Sequence, residues 1–182
     1  GSGILNGSTA GSVVLDAHGS VTITDITLTL TTEEEKPDLG TIVILTNGND
    51  LMIDGTADVT LTIANYAATG VGFGICTSTP QSGASSDAGA VKIGSEAVLS
   101  VSAPVGLLVK SPAGQQTEVA ILGAFEADCG GDGLAANLLG VILNLTGSSI
   151  HMSEGAHIWL SEKTHTLTGE TEITDFTGGF LA

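Results

Sequence analysis

Apolar and polar residues alternate with period two over much of the chain, in short runs. Thr22-Ile23-Thr24, Thr60-Leu61-Thr62 and Ser100-Val101-Ser102 each turn an aliphatic side chain one way and hydroxyls the other, the pattern of half-buried β-strands. A nine-residue pattern recurs around these runs: apolar, any, small, any, small, any, apolar, any, apolar. It reads LDAHGSVTI from Leu15, IDGTADVTL from Ile53, IGSEAVLSV from Ile93, ILGAFEADC from Ile121 and MSEGAHIWL from Met152. A sixth copy, LTGETEITD from Leu167, fails at Asp175. The steps between the first five copies each suit one solenoid turn, with loops swelling the longer ones. The step to the sixth is too short, and marks a terminal cap of the kind that solenoid ends require. The small fifth position (Gly19, Ala57, Ala97, Ala156) is expected at a corner, and Phe125 alone interrupts that column.

More apolar runs precede the repeat: Thr41-Ile42-Val43-Ile44-Leu45, Gly70–Ile75, Gly106-Leu107-Leu108-Val109 and Val141-Ile142-Leu143. One turn then holds three strands. Stacked at about 4.8 Å, these make a three-sided parallel β-helix roughly five turns long. Residues 1–3 read as a cloning scar, residues 4–182 as one solenoid domain, and residues 163–182 as its cap. Segments 31–40, 76–89 and 130–137 are rich in turn-forming residues and are expected as surface loops.

Composition agrees with this picture. Glycine is abundant at 26 residues, and aromatics make up only 3%. A core so poor in large fillers has to be thin, which suits a solenoid better than a two-sheet sandwich. The charge balance is 20 Asp and Glu against 4 lysines, with no arginine. No basic face can be assembled to displace counterions from phosphate, so nucleic acid is excluded as a partner, and an anionic membrane surface is disfavoured. No run of about 18 apolar residues exists to span a bilayer. Cys76 and Cys129 are too few for a disulfide framework and lack metal-ligand spacing; they are expected not to pair, with Cys129 a small buried hydrophobe.

With this repeat, the chain resembles the right-handed parallel β-helix proteins of the pectin-lyase-like class. It is most similar to the short, acidic, Gly/Thr-rich modules of bacterial surface and carbohydrate-binding proteins. The resemblance implies a secreted or cell-surface location, an adhesin-like role and, often, calcium.

Aligning the repeats predicts two outward columns. One holds Ser20, Asp58, Val98, Glu126 and His157; the other holds Thr22, Thr60, Ser100, Asp128 and Trp159. Trp159, the only tryptophan, would offer a flat apolar face to a pyranose while Asp128, Glu126 and His157 bind its hydroxyls. The competing reading buries Trp159 beneath the C-terminal segment. Glu126, Asp128 and Asp132 on a glycine-flexed turn are the candidate calcium ligands. Asn47, Asn49, Asp50 and Asp54 form a second oxygen-rich group, better explained by Asx turns.

In the apolar runs alternation fails, so both faces of that strand need cover. The cover is either Gly133–Gly140 or a second copy or neighbouring domain docking on a face bearing Val43, Leu45, Leu108 and Ile142. The expected function is non-catalytic recognition of a glycan. The alternative is a structural spacer or assembly solenoid. A polysaccharide-active enzyme is less favoured, since no arginine is present and no lysine neighbours the acidic cluster. An ice-binding hydroxyl array is also less favoured, because the ladder gives way to Glu126 and Asp128.

Overall fold

The computed structural model describes residues 13–32, 41–64, 72–78, 87–130 and 133–160, with the strands at 4–9, 166–168 and 179–181. These residues are all-β and wind as a right-handed, three-sided parallel β-helix. Sheet A stacks β1 (Ile4–Thr9), β4 (Thr27–Thr32), β7 (Asp58–Ile63), β10 (Val98–Ser102), β13 (Ala124–Asp128) and β16 (Ser149–Met152). Sheet B stacks β2 (Val13–Asp16), β5 (Thr41–Leu45), β8 (Gly72–Cys76), β11 (Val105–Lys110), β14 (Leu134–Leu139), β17 (His157–Leu160) and β19 (Gly179–Leu181). Sheet C stacks β3 (Val21–Thr24), β6 (Leu51–Asp54), β9 (Val91–Ile93), β12 (Thr117–Ile121), β15 (Val141–Asn144) and β18 (Thr166–Thr168). From β2 to β16 the chain visits B, C and A in strict rotation. Among the described residues, no helix is long and apolar enough to cross a membrane.

Period-two alternation drives this arrangement. In sheet A the inward column Leu28, Val59, Leu99, Phe125 and Ile150 runs rung over rung, and all five side chains are buried. Sheet C contributes Ile23, Ile53, Ile93 and Ile121 in the same way. Each such side chain contributes about 1.5–3 kcal/mol by leaving water. Phe125, which interrupts a small-residue corner in the nine-residue alignment, is therefore an ordinary core filler.

The recurring pattern is real, but it marks different corners. The copies from Ile53, Ile93 and Ile121 span the C-to-A corner, the copy from Leu15 spans B to C, and the copy from Met152 spans A to B. The small residues Ala57, Ala97 and Ala156 each close a tight turn through a backbone hydrogen bond to the residue three before. All three corners thus share one sequence logic. At the B-to-C corner Asn47, with φ of 50°, donates from Nδ2 to Asp16 Oδ1 (2.6 Å) and to the Ala17 carbonyl (3.0 Å) on the rung before. Asn49 Nδ2 donates to the Thr46 carbonyl, and Asp50 Oδ1 accepts from the Ala90 N–H. Asp54 accepts from the Gly55 N–H and pairs with Lys92 at 3.2 Å, and these contacts, the backbone bond first, lower its carboxyl below the usual range. The second oxygen-rich group is thus accounted for by corner hydrogen bonds.

Sheet B breaks the alternation at a position stacked from rung to rung, and a register shift, a bulge, falls between β14 and β17 at Leu134/Ala136. The ladder pairs Ile42 with Phe73 and Ile44 with Ile75, skipping Val43 and Gly74; it pairs Val105 with Leu134 and Leu107 with Ala136, skipping Gly106 and Ala135. A Cβ on Gly106 would run into the Ala135 carbonyl, and one on Gly74 into Val101, so this position needs glycine at these rungs. At this position Val43 and Ile44 both join the main core, while Leu45, Cys76 and Leu108 form a second small cluster with Ile42, Phe73 and Val105 on the other face.

Several expectations are corrected here. Val43 is internal, and Ile142 lies on β15 in sheet C, so Val43, Leu45, Leu108 and Ile142 do not share a face. Gly133–Gly140 is not a cover: its residues Leu134–Leu139 are β14, a rung of sheet B. Within residues 163–182, β18 extends sheet C and β19 extends sheet B beside β17. Residues 1–3 and the rest of that terminal segment lie outside the described residues.

Both cysteines are free and buried. Burial raises the Cys76 thiol and pushes Cys129 up to about 12. Neither thiol should react with a thiol reagent at pH 8 in the native protein, and both should react in denaturant. Because unfolded thiols ionise first, stability should fall as pH rises from about 9 towards 12, with a shallower fall in Cys129→Ala. Phe125→Ala should cost about 3–5 kcal/mol in chemical denaturation, since it empties the largest fully buried side chain among the described residues from a thin core.

Candidate functional site

Stacking like residues on the inside also orders the outside. On sheet A the first outward column is Thr29, Thr60, Ser100, Glu126 and His151; the second is Thr31, Thr62, Ser102 and Asp128. The hydroxyl rungs are half-buried, whereas Glu126, Asp128 and His151 are exposed. Rungs follow one another at about 4.8 Å, and neighbouring outward residues within a strand lie about 6.6–6.8 Å apart, so the array is a regular grid.

Two open depressions meet on this grid. One, of about 160 Å³, is lined by Thr60, Thr62, Ser100, Ser102, Glu126 and Asp128. The other, of about 430 Å³, is lined by Glu126, Asp128, His151 and Ser153 among others. The acidic rung is common to both, so they form one trough running along the helix axis. Ser100 Oγ donates to Glu126 Oε2 at 2.9 Å, tying the last hydroxyl rung to the acidic one. Beyond β13, Ser153 Oγ accepts from the Cys129 N–H at 3.0 Å and donates to the Gly130 carbonyl at 3.4 Å, which holds the end of the trough against the next turn.

The electrostatics of this face are one-sided. The described strands of sheet A carry Asp58, Glu126 and Asp128 and no lysine. Lys92 sits in sheet C, paired with Asp54, and Lys110 ends β11 in sheet B. His151, next to Glu126 in its column, is the one basic side chain on the described rungs of this sheet with a described environment.

The four candidate ligand residues are not brought together. Glu126 and Asp128 share the outer face of β13, but they continue Ser100 and Ser102, not Val98 and Ser100. His157 and Trp159 lie on β17 in sheet B, where they follow Leu134 and Asn137. Trp159 is 42% exposed, the one exposed large hydrophobic among the described residues. It therefore points outward, but from a different side of the helix. Ser20 and Thr22 also leave the columns, since Thr22 lies on β3 and pairs with Met52 in sheet C. Asp132 lies outside the described residues, and among the described residues no group of three or more His, Cys, Asp or Glu is arranged to hold a metal.

Thr29 and Thr31 were missed as site residues, although Thr27–Thr32 reads as a second alternating run directly after Val21–Thr24. The nine-residue pattern favoured the earlier run. His151 lies on β16, the strand that precedes the turn that the Met152 copy spans.

The fold and this face together define a three-sided parallel β-solenoid with a polar, acid-ended trough on one sheet. No family model matches the chain, and no significantly similar curated protein or solved structure is found.

The lone tryptophan makes its placement measurable. Trp159 fluorescence should be readily quenched by acrylamide in the native protein, and should be insensitive to Glu126→Gln, which lies on another sheet. A blue-shifted, protected emission would place the indole beneath other residues instead.

Proposed function

We propose that the protein is a secreted or cell-surface recognition module that binds a glycan, without catalysis, along the trough on sheet A. The observation that carries this reading is the continuous trough in which hydroxyl rungs pass into a carboxylate rung. Serine and threonine hydroxyls both donate and accept, and carboxylates accept strongly, which is the chemistry that sugar hydroxyls need. The trough runs along the helix axis, and one rung is comparable in length with one pyranose unit, so a linear oligosaccharide can meet equivalent groups at successive rungs.

The arrangement of the acids supports a non-catalytic role. Glu126 and Asp128 project side by side from one strand into an open trough, whereas glycoside hydrolysis places two carboxyl groups on either side of the scissile bond. Calcium belongs to the proposal only as an accessory. The described donors amount to two carboxylates on one strand, short of the six to eight oxygens that the ion takes, and no binding step is assigned to it. A structural spacer, with sheet B as an assembly face, is the competing reading.

A glycan screen of the wild type, Glu126→Gln/Asp128→Asn and Trp159→Ala, each in calcium and in EDTA, tests this. Binding of a defined glycan class by the wild type, weakened about tenfold or more in the double variant and kept in Trp159→Ala, is the expected result. Loss in Trp159→Ala alone would move the site to sheet B. A blank screen in both buffers would leave the spacer reading.

A further inference from the structure

We infer that Asn47-Gly48, at the B-to-C corner of the second turn, is a deamidation site held shut by the fold, whose conversion to aspartate unlocks that corner permanently. The inference is independent of the glycan reading. An asparagine followed by glycine is the most reactive kind, because no side chain shields the next backbone nitrogen. Only Asn6 and Asn47 precede a glycine in this chain. The side chain of Asn6 lies outside the described residues, whereas that of Asn47 is half-buried in a defined setting.

In the closed corner both reacting groups are occupied. Asn47 Nδ2 donates to Asp16 Oδ1 at 2.6 Å and to the Ala17 carbonyl at 3.0 Å, so the carboxamide is tied to the first turn. The Gly48 N–H donates to the Thr77 carbonyl at 3.0 Å, so the nucleophile is tied to the third. When the corner opens, the Gly48 nitrogen is released to attack Asn47 Cγ. A new N–Cγ bond closes a five-membered imide, the Cγ–Nδ2 bond breaks, and ammonia leaves with the proton displaced from Gly48. Water then opens the imide at either carbonyl, leaving aspartate or isoaspartate at position 47.

The product cannot remake the lock. Where Nδ2 donated, a carboxylate oxygen meets Asp16 Oδ1, acceptor against acceptor and like charge against like charge. The basic group paired with Asp16 is the exposed His18, whose Nε2 lies 3.6 Å from the same oxygen. Isoaspartate also lengthens the main chain by one carbon between β5 and β6. The bonds beside the corner, Ala17 N–H to the Leu45 carbonyl and Val21 N–H to the Asp50 carbonyl, are the first to loosen.

Peptide mapping of protein kept in mildly alkaline buffer, folded and in urea, tests the site. Conversion at position 47 is expected in urea, and at least about tenfold more slowly in the folded protein, because reaction waits on local opening. Asp16→Ala removes one of the two acceptors; it should raise the folded rate at least about threefold and leave the urea rate unchanged. No conversion at 47 in urea, equal rates in the two states, or a folded rate indifferent to Asp16→Ala overturns the inference.

Asn47→Asp supplies the aspartate product directly. Amide exchange at Ala17 and Val21 should quicken at least about tenfold in it, while Ala97 and Ala156, at other corners, keep the wild-type rate. Asp16→Asn/Asn47→Asp again sets a donor against an acceptor, with the roles exchanged, and should recover most of the protection. The double variant carries the test if the single one fails to fold. Wild-type exchange in Asn47→Asp, or a double variant no better protected than the single one, shows that this contact is no lock.

Discussion

The parallel backbone ladder between successive turns is the constraint from which the rest follows. Along the regular stretches the N–H and C=O groups of a rung are satisfied by the rungs before and after, so the chain continues by placing each residue over a residue of the same orientation. Inside, this yields columns such as Leu28, Val59, Leu99, Phe125 and Ile150, in which aliphatic packing makes up for the near absence of aromatics. Outside, the same rule turns single hydroxyls and carboxylates into ordered rows. A site made this way owes its order to the core beneath it, not to mutual attraction among its own side chains.

The two outer faces differ because the ladder is treated differently on them. Sheet A keeps strict alternation, so its outward positions are free to be polar, and the trough from Thr60 to His151 is the result. Sheet B carries the stacked break at Val43, Gly74, Gly106 and Ala135, which sends two consecutive side chains inward and shifts Leu45, Cys76 and Leu108 to the opposite face. The break fades at β17, where His157 to Leu160 alternate again and Trp159 emerges. An apolar face and an exposed indole thus share one sheet, and the acids belong to another.

Corner chemistry makes this division durable. Asn47 bonds back to Asp16 and Ala17, Asp50 accepts from Ala90, and Asp54 is shared between Gly55 and Lys92. These acidic and amide side chains at the corners lock rungs in register. On sheet A the carboxylates Glu126 and Asp128 stay exposed, on a face without a lysine among the described rungs.

The architecture was legible from period-two alternation, recurrent small turn residues and scarce aromatics, because those features report local backbone geometry. The outward orientation of Glu126, Asp128 and Trp159, and the buried, unpaired state of Cys129, followed from the same local rule. Which of these residues are neighbours was not legible. All three corners obey one strand–turn–strand pattern, so a repeat search aligned Trp159 with Asp128 although they lie on different sheets, and chose Thr22 over Thr29. The break in alternation was equally hidden, since Val43-Ile44-Leu45 reads as a strand with two apolar faces until the structure turns both Val43 and Ile44 into the core. Local sequence sets whether a side chain points in or out. Only the closed winding of the chain, through loop lengths and inter-turn register, decides which distant residues share a face.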